Sequence, residues 1–330
     1  MKVADAIPMY LSDRMDLRER TKETQGYRLK QFREWAESEG VDDLDELTGR
    51  DLARYRHHRV EEQGVAPMTV RGNSYTLRSF LRFCESIDAV EDGLAAKVRI
   101  PALSDEDMTR EHDLDPDRVA DLLEHLEQYQ YASRDHVMLL LMFRVGCRVG
   151  AVHALDLDDF DREGRFLEFR HRPPSTALKN GKKGERPVAL ADEVADVVAD
   201  YVDVNRHDVT DDDGRQPLIT SRYGRYSISA MREATYRLFQ PCRRGACPHG
   251  REEASCEGLE VGRGSRCPSS RNPHDVRSAA IMRMRRAGIP PEAIEERVNA
   301  SAEVIELHYD ERDPRERMEQ RREHFAEVSP

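Results

Sequence analysis

Residues 272–310 read NPHDVRSAAIMRMRRAGIPPEAIEERVNASAEVIELHYD. His274 and Arg277 stand three positions apart, so a helix over this stretch puts them on one face. A second helical pattern follows, and Tyr309 comes at its end. An imidazole, a guanidinium and a phenol are a set that can attack a phosphodiester without a metal. The imidazole moves protons near neutral pH, the guanidinium grips phosphate oxygens as a fork, and the phenol can become a covalent intermediate. The pair HxxR arises by chance in many chains, and a Tyr near a helix end is more often core or rim. The weight therefore falls on what surrounds this stretch.

Outward from it, length and composition set bounds. At 330 residues, two domains with separate cores are expected. There is no apolar run long enough for a membrane helix, and the opening MKVADAIPMYLSDR is too polar for a signal peptide. A soluble, cytoplasmic protein is expected. The formal net charge of -12 opposes indiscriminate binding to nucleic acid. Arginine supplies nearly all the cations, since the only lysines are Lys2, Lys22, Lys30, Lys97, Lys179, Lys182 and Lys183. Abundant acids with few lysines resemble the proteins of salt-loving archaea. In molar salt the Debye length is about 3 Å, so such a surface repels DNA much less than in dilute buffer.

The charge is uneven. Residues 162–190 hold eight Lys or Arg against three Glu, 241–290 hold ten Arg against five acids, and 50–82 hold seven Arg against three acids. One such island is usually a solvated face with local pairing. Three islands that coincide with the candidate chemistry point to a specific polyanion binder with an acidic exterior.

Residues 1–100 read as helical throughout. Val3, Ile7, Tyr10 and Leu11 make one apolar face, and a second helix from Thr24 or its neighbours runs through Phe32 and Trp35 until Gly40 stops it. Thr48 is placed to cap a helix over 49–63, and Pro67 to open another with Val70, Leu77, Leu81 and Cys84 on one side. Arg54, Arg56, Arg59, Arg71, Asn73 and Arg78 fall between the apolar positions, giving a small bundle with a basic, DNA-contacting face. A protein-interaction bundle is the plain alternative.

Residues 101–113 are polar and aperiodic, and are read as a linker. Asp115-Pro116 then caps a helix, and HVMLLLMFRV (136–145) is a buried one, ending at Gly146-Cys147-Arg148. Arg148 at the mouth of that helix needs a partner, either a ligand or an acid such as Asp156 or Asp158. Segments 166–169 and 187–190 read as strands around Lys179-Asn180-Gly181-Lys182-Lys183, with Asn-Gly as the hairpin signal. Lys179, Lys182 and Lys183 would reach from the sheet edge toward a phosphate, although lysines at turns often serve solubility alone.

Cys242, Cys247, Cys256 and Cys267 lie within the segment 241–268. In a cytoplasmic chain four clustered thiols can form a closed structural zinc site, although no CxxC pair is present. Free thiols are the alternative. Cys84 and Cys147 sit in apolar context and read as core.

Taken in order, GCRVG, ALKNGKKGERPVAL, PHDVRSAA and the helix ending HYD resemble the tyrosine recombinase (phage integrase) family. The resemblance covers nearly the whole chain. It implies a mainly α fold with a small antiparallel sheet (α+β), in which 1–100 is a SAM-like core-binding domain. Residues 114–330 would then form the catalytic domain, with 241–268 inserted. It implies Tyr309 as nucleophile, Arg148 as the first catalytic Arg, Lys179 as the hairpin Lys, and His274 and Arg277 as the His-x-x-Arg pair. A further His or Trp of the family aligns near Asn299 or Ala300. The implied activity is site-specific recombination of double-stranded DNA through a 3′-phosphotyrosyl link, with no cofactor for the chemistry.

Three positions depart from the pattern: Ala151 where an acid is usual, Ser278 where a second His is usual, and Asn299, which donates hydrogen bonds but cannot relay protons. They favour the competing reading of a DNA-binding accessory protein with weakened catalysis. A type IB topoisomerase, relaxing DNA with the same residue types, is another. After Asp313-Pro314 a short polar helix over 316–328 needs a surface to dock on, and folding back on its own domain is the simpler reading. The resemblance favours docking on a neighbouring protomer instead, so that a monomer or weak dimer assembles into a tetramer on DNA.

Overall fold

The computed structural model describes residues 1–41, 43–104 and 114–309, with Arg315, Met318 and Arg322 of the tail, and for 306–309 the backbone alone. The chain divides into two compact units, Met1–Arg110 and Glu111–Pro330.

In the first unit, α1 (Val3–Asp13), α2 (Glu19–Ser38), α3 (Gly49–His57) and α4 (Pro67–Ser86) enclose one core. Its centre is aromatic: Tyr10 meets Phe80 edge-on at 5.6 Å, and Phe32 meets Tyr55 edge-on at 5.1 Å. Thr48 caps α3 in a reciprocal box with Asp51, and Pro67 occupies the first position of α4. Helix α2 starts at Glu19, ahead of the Thr24 region expected from the apolar pattern. The ERTKE lead-in carries no apolar signal, but it consists largely of good helix formers.

The second unit begins with α5 (Pro116–Tyr129), whose N-cap Asp115 accepts from the Asp117 amide at 3.1 Å. Next comes α6 (Arg134–Arg144), apolar on all sides and buried from His136 to Phe143. Gly146, at φ +73°, turns the chain into α7 (Val149–Ala154). Strands β1 (Phe160–Asp161), β2 (Phe166–Phe169) and β3 (Arg186–Ala189) form an antiparallel sheet in that order, with Phe166 opposite Ala189 and Phe169 opposite Arg186.

The β2–β3 connection departs from the expected tight hairpin. It runs over 170–185, with a bridge between Arg172 and Thr176 and a 3-10 turn at Gly181–Gly184. Asn180-Gly181 turns the chain inside this excursion, too far from either strand end to join them. Buried Thr176 and Leu178 and the Arg172–Asp159 ion pair at 2.6 Å make the longer path a folded one.

Helix α8 (Asp192–Asp200), the two-stranded ladder β4 (Thr220–Ser221) with β5 (Gly224–Arg225), and α9 (Ile228–Leu238) follow. Segment 241–268 then runs through short 3-10 turns, pinned by the fully buried Gln240, whose amide donates to Gly258 O at 2.7 Å. Three helices close the unit: α10 (Pro273–Arg286), α11 (Pro291–Val298) and α12 (Ala302–Tyr309). Helix α10 packs on α5 and α6, and α12 packs on α10 and α11 through fully buried Ile305. No described helix is long and apolar enough to cross a membrane. The segment 316–328, expected to be a docking helix, lies outside the described residues.

Candidate active site

The N-terminus of α10 places the His-x-x-Arg pair. Asn272 caps it, accepting from the His274 and Asp275 amides at 2.7 and 3.2 Å, while Asp275 accepts from the Asn272 amide at 2.9 Å. His274 is exposed at the helix mouth, and Arg277 lies one turn deeper, 2% exposed. A guanidinium that far from water needs acceptors. Its Nη1 donates to Gly146 O at 2.8 Å and Val298 O at 2.6 Å.

Arg148 caps α7 as its half-buried N-terminal residue. Its Nη1 donates to the Asn299 carbonyl at 2.7 Å. Asp156, an acid the sequence offered as its partner, is instead engaged by Arg172 at 3.2 Å, Arg215 at 3.4 Å and Arg225. Lys179 stands exposed on the β2–β3 loop. The Arg148 charge, then partial burial and the Arg277 charge, lower its pKa. The loop is braced below it: the Leu178 amide donates to His171 Nδ1 at 3.0 Å, and Arg172 forks onto Asp159.

Arg148, Lys179 and Arg277 thus come together from three segments far apart in sequence. Two further arginines join them that the motif reading missed. Arg186 on β3 donates from Nε to Arg297 O at 2.9 Å, and Arg297 donates to Ala189 O at 3.0 Å and Arg144 O at 3.2 Å. Burial lowers the Arg186 pKa, and the Arg148 and Arg297 charges add to it. A left-handed helix stop such as Asn299, at φ 54°, was the signal that could have marked this corner. Asn299 spends its side chain on the lysine loop, Oδ1 accepting from Asn180 Nδ2 at 2.9 Å. Ser278 is buried and donates to His274 O at 3.0 Å, and Ala151 is buried in the first turn of α7. The backbone carries Tyr309 at the end of α12.

Residues 112–302 match the model of the Phage integrase family, a span that holds the whole cation cluster. The chain belongs to the phage integrase family.

A curated relative, Tyrosine recombinase XerC of Shewanella amazonensis, is 27% identical over 169 residues, 51% of this chain and 52% of that protein. The chain therefore spans about half the length of the curated relatives it matches. Among solved structures, the Tn1549 transposon integrase in complex with a circular intermediate DNA gives a TM-score of 0.68 at 16% identity, covering 98% of this chain and 99% of that one. A lambda integrase dimer bound to a COC′ core site gives 0.60 at 12% identity, covering 97% and 77%. At these identities the likeness is one of fold: mostly helical, with small antiparallel sheets.

Elsewhere in this phage-integrase-family chain, the expected DNA-contacting residues divide. Among the described residues, Arg56 and Arg71 have no acidic partner, and Arg71 lies over the Tyr75 ring at 5.8 Å. Arg54 pairs with Glu39 and with Asp51 at 3.4 Å, Arg59 donates to Gln31 at 3.2 Å and to Gln63, and Arg78 donates to Val98 O. Asn73 is buried and lines a cavity of about 410 Å³ with Tyr55, Arg56 and Arg99. Lys182 and Lys183 are exposed on the 3-10 turn beside Lys179.

The cysteines of 242–267 carry free thiols, Cys267 buried and the others half-buried. Burial raises the Cys242 pKa, with Cys267 and Cys247 nearby adding to it. Among the described residues no three His, Cys, Asp or Glu side chains are gathered so as to hold a metal ion.

Proposed function

We propose that this chain is a site-specific DNA recombinase that cuts and rejoins duplex DNA through a phosphotyrosine. The observation that carries the reading is the cation cluster. Arg148 and Arg277 are anchored by main-chain carbonyls, Lys179 stands beside them with a lowered pKa, and His274 opens the same helix as Arg277. Carbonyl anchors fix the planes of the guanidiniums without cancelling their charge, which suits them to the non-bridging oxygens of a phosphodiester.

In this reading the Tyr309 hydroxyl attacks phosphorus. The new P–O bond forms as the P–O5′ bond breaks, leaving a 3′-phosphotyrosyl strand and a free 5′-hydroxyl. His274 assists departure of the phenol proton, and Lys179 gives a proton to the leaving oxygen. A free phenol titrates near pH 10, so the two guanidiniums also stabilise the developing phenolate. The 5′-hydroxyl of a second strand can reverse the step, which makes exchange possible. The cytoplasm is the compartment for such a reaction, and assembly of four protomers on paired half-sites is its geometry. The acid-rich, lysine-poor composition supports a high-salt setting.

A nicked suicide duplex, which loses the 5′-hydroxyl fragment after cleavage, tests this. The native chain should form a covalent DNA adduct. Tyr309→Phe should abolish the adduct and leave DNA affinity nearly intact, since only a hydroxyl is removed. Sequence-specific binding without any adduct would instead mark the accessory-protein reading that Ala151 and Ser278 favour.

The structural zinc expected of Cys242, Cys247, Cys256 and Cys267 is a separate proposal. It is supported by the four thiols sharing one folded segment, with Cys242, Cys247 and Cys267 close enough to interact electrostatically. Native mass spectrometry should find one zinc per chain, lost in Cys242→Ser or Cys256→Ser. Metal-free protein from a chelator-free preparation would leave a reduced, unligated insertion.

A further inference from the structure

The last turn of α11 holds three successive carbonyls that its own helix cannot satisfy. Each takes a guanidinium from a different segment: Arg297 O from Arg186 at 2.9 Å, Val298 O from Arg277 at 2.6 Å, and Asn299 O from Arg148 at 2.7 Å. The negative end of the helix thereby collects the cations of the site. Asn299 does a second thing. Its backbone is left-handed, at φ 54° and ψ 61°, a conformation open to Asn and Gly but costly for most residues. That turn presents its side chain to the lysine loop, where Oδ1 accepts from Asn180 Nδ2 at 2.9 Å. Its Nδ2 packs onto Gly184 so closely that a Cβ there would lie 2.7 Å away. Gly184 is therefore what admits the amide. Asn180 is the immediate neighbour of Lys179.

We propose that Asn299 is the positioning residue for Lys179: its carbonyl seats Arg148, and its amide clasps the lysine loop through Asn180 and Gly184. One residue thus sets the proton donor against a phosphate-holding guanidinium. The inference rests on the recombinase reading and adds to it. Asn299 touches neither phosphate nor nucleophile in this role, and its effect on rate passes through where the ammonium group sits. The step concerned is departure of the 5′-oxygen, in which the P–O5′ bond breaks and the oxygen receives the Lys179 proton.

The test separates that step from all others by its leaving group. A suicide duplex with sulfur in place of the bridging 5′-oxygen expels a thiolate, which needs no proton, because thiols titrate near pH 8.5. Asn299→Gly keeps the left-handed turn and the carbonyl but removes the amide. With the oxygen substrate its cleavage should be slower by on the order of 10-fold, and up to 10²-fold, as for a misplaced general acid. With the sulfur substrate it should cleave at close to the native rate. Asn180→Ala, an exposed change on the other side of the clasp, should reproduce the pattern should Asn299→Gly fail to fold. Lys179→Ala should show the pattern more strongly. Equal losses on both substrates, or no loss on either, would overturn the proposal while native cleavage upholds the recombinase reading. Failure of the native chain to cleave either substrate would overturn both.

Discussion

His153 shows how one side chain couples this fold to pH. It lies half-buried on α7, and burial, followed by the Arg225 and Arg215 charges, lowers its pKa to about 4. In the unfolded chain an imidazole takes its proton near pH 6.5. Between those values the unfolded state binds more protons, so stability falls as pH drops from about 6.5 to about 4 and changes no further on this account below that. The full shift corresponds to roughly 3 kcal/mol, which partial exposure reduces to about 1–2 kcal/mol. Asp211 acts at the acid end. Burial opposes its carboxylate, but hydrogen bonds from Arg225 and the Arg215 amide hold its pKa below the usual value. Its stabilisation is present above about pH 4 and is lost as pH falls through the lowered pKa. Urea unfolding of His153→Gln should show a flatter stability profile than the native chain between about pH 6.5 and about pH 4.5. Identical slopes would place the pH dependence elsewhere. At this scale the sequence shows the clustered guanidiniums well, because HxxR and GCR mark Arg277 and Arg148 by residue type and both reach the same corner. It hides the acceptors. Gly146 O, Val298 O and Asn299 O hold the arginines, and a carbonyl leaves no mark in a sequence.

Among elements, the junction of α6 with α7 is tightly constrained. Gly146 has φ +73°, and a Cβ there would meet Val298 Cγ1 at 2.9 Å and Met284 Cε at 3.2 Å. Its carbonyl also accepts from Arg277. Gly146→Ala should therefore lose about 2 kcal/mol or more, from left-handed strain plus overpacking, and the proposed DNA cleavage should fall with it. Thermal unfolding checks this: a fall of several degrees is expected, and an unchanged midpoint would show that the junction relaxes at little cost. Helices were legible here because their apolar spacing survives in sequence, as in α4 and α6. The β2–β3 connection was not. Asn-Gly is a local signal for a tight turn, and it yields to tertiary contacts, here the Arg172–Asp159 pair and buried Leu178. Segment 241–268 stood out in the sequence by its cysteines, whereas its anchor, Gln240, gave no sign of being fully buried.

The molecule as a whole has two hydrophobic cores, one per compact unit. Calorimetry should therefore resolve two unfolding transitions, and a single two-state fit should fail. Cations concentrated around Arg148, Arg277 and Lys179 should respond to a phosphate-like anion. At tenfold its dissociation constant, sulfate should stabilise the second unit by about 1.4 kcal/mol, raising one transition by a few degrees. Chloride at matched ionic strength should not reproduce the split. Equal movement of both transitions would mean a general salt effect. Arg148→Ala should shrink the sulfate response of that one transition.

Lysine is scarce in this chain, and that scarcity has a practical side. Lys179, one of seven lysines, has its ammonium discouraged by the Arg148 charge, partial burial and the Arg277 charge. At mildly alkaline pH it presents more neutral amine than an ordinary lysine and is the better nucleophile toward acylating reagents. Amine-directed labelling or surface coupling would thus modify Lys179, the proposed proton donor, early. Dyes and tethers are better attached elsewhere, or applied while an oxyanion occupies the site.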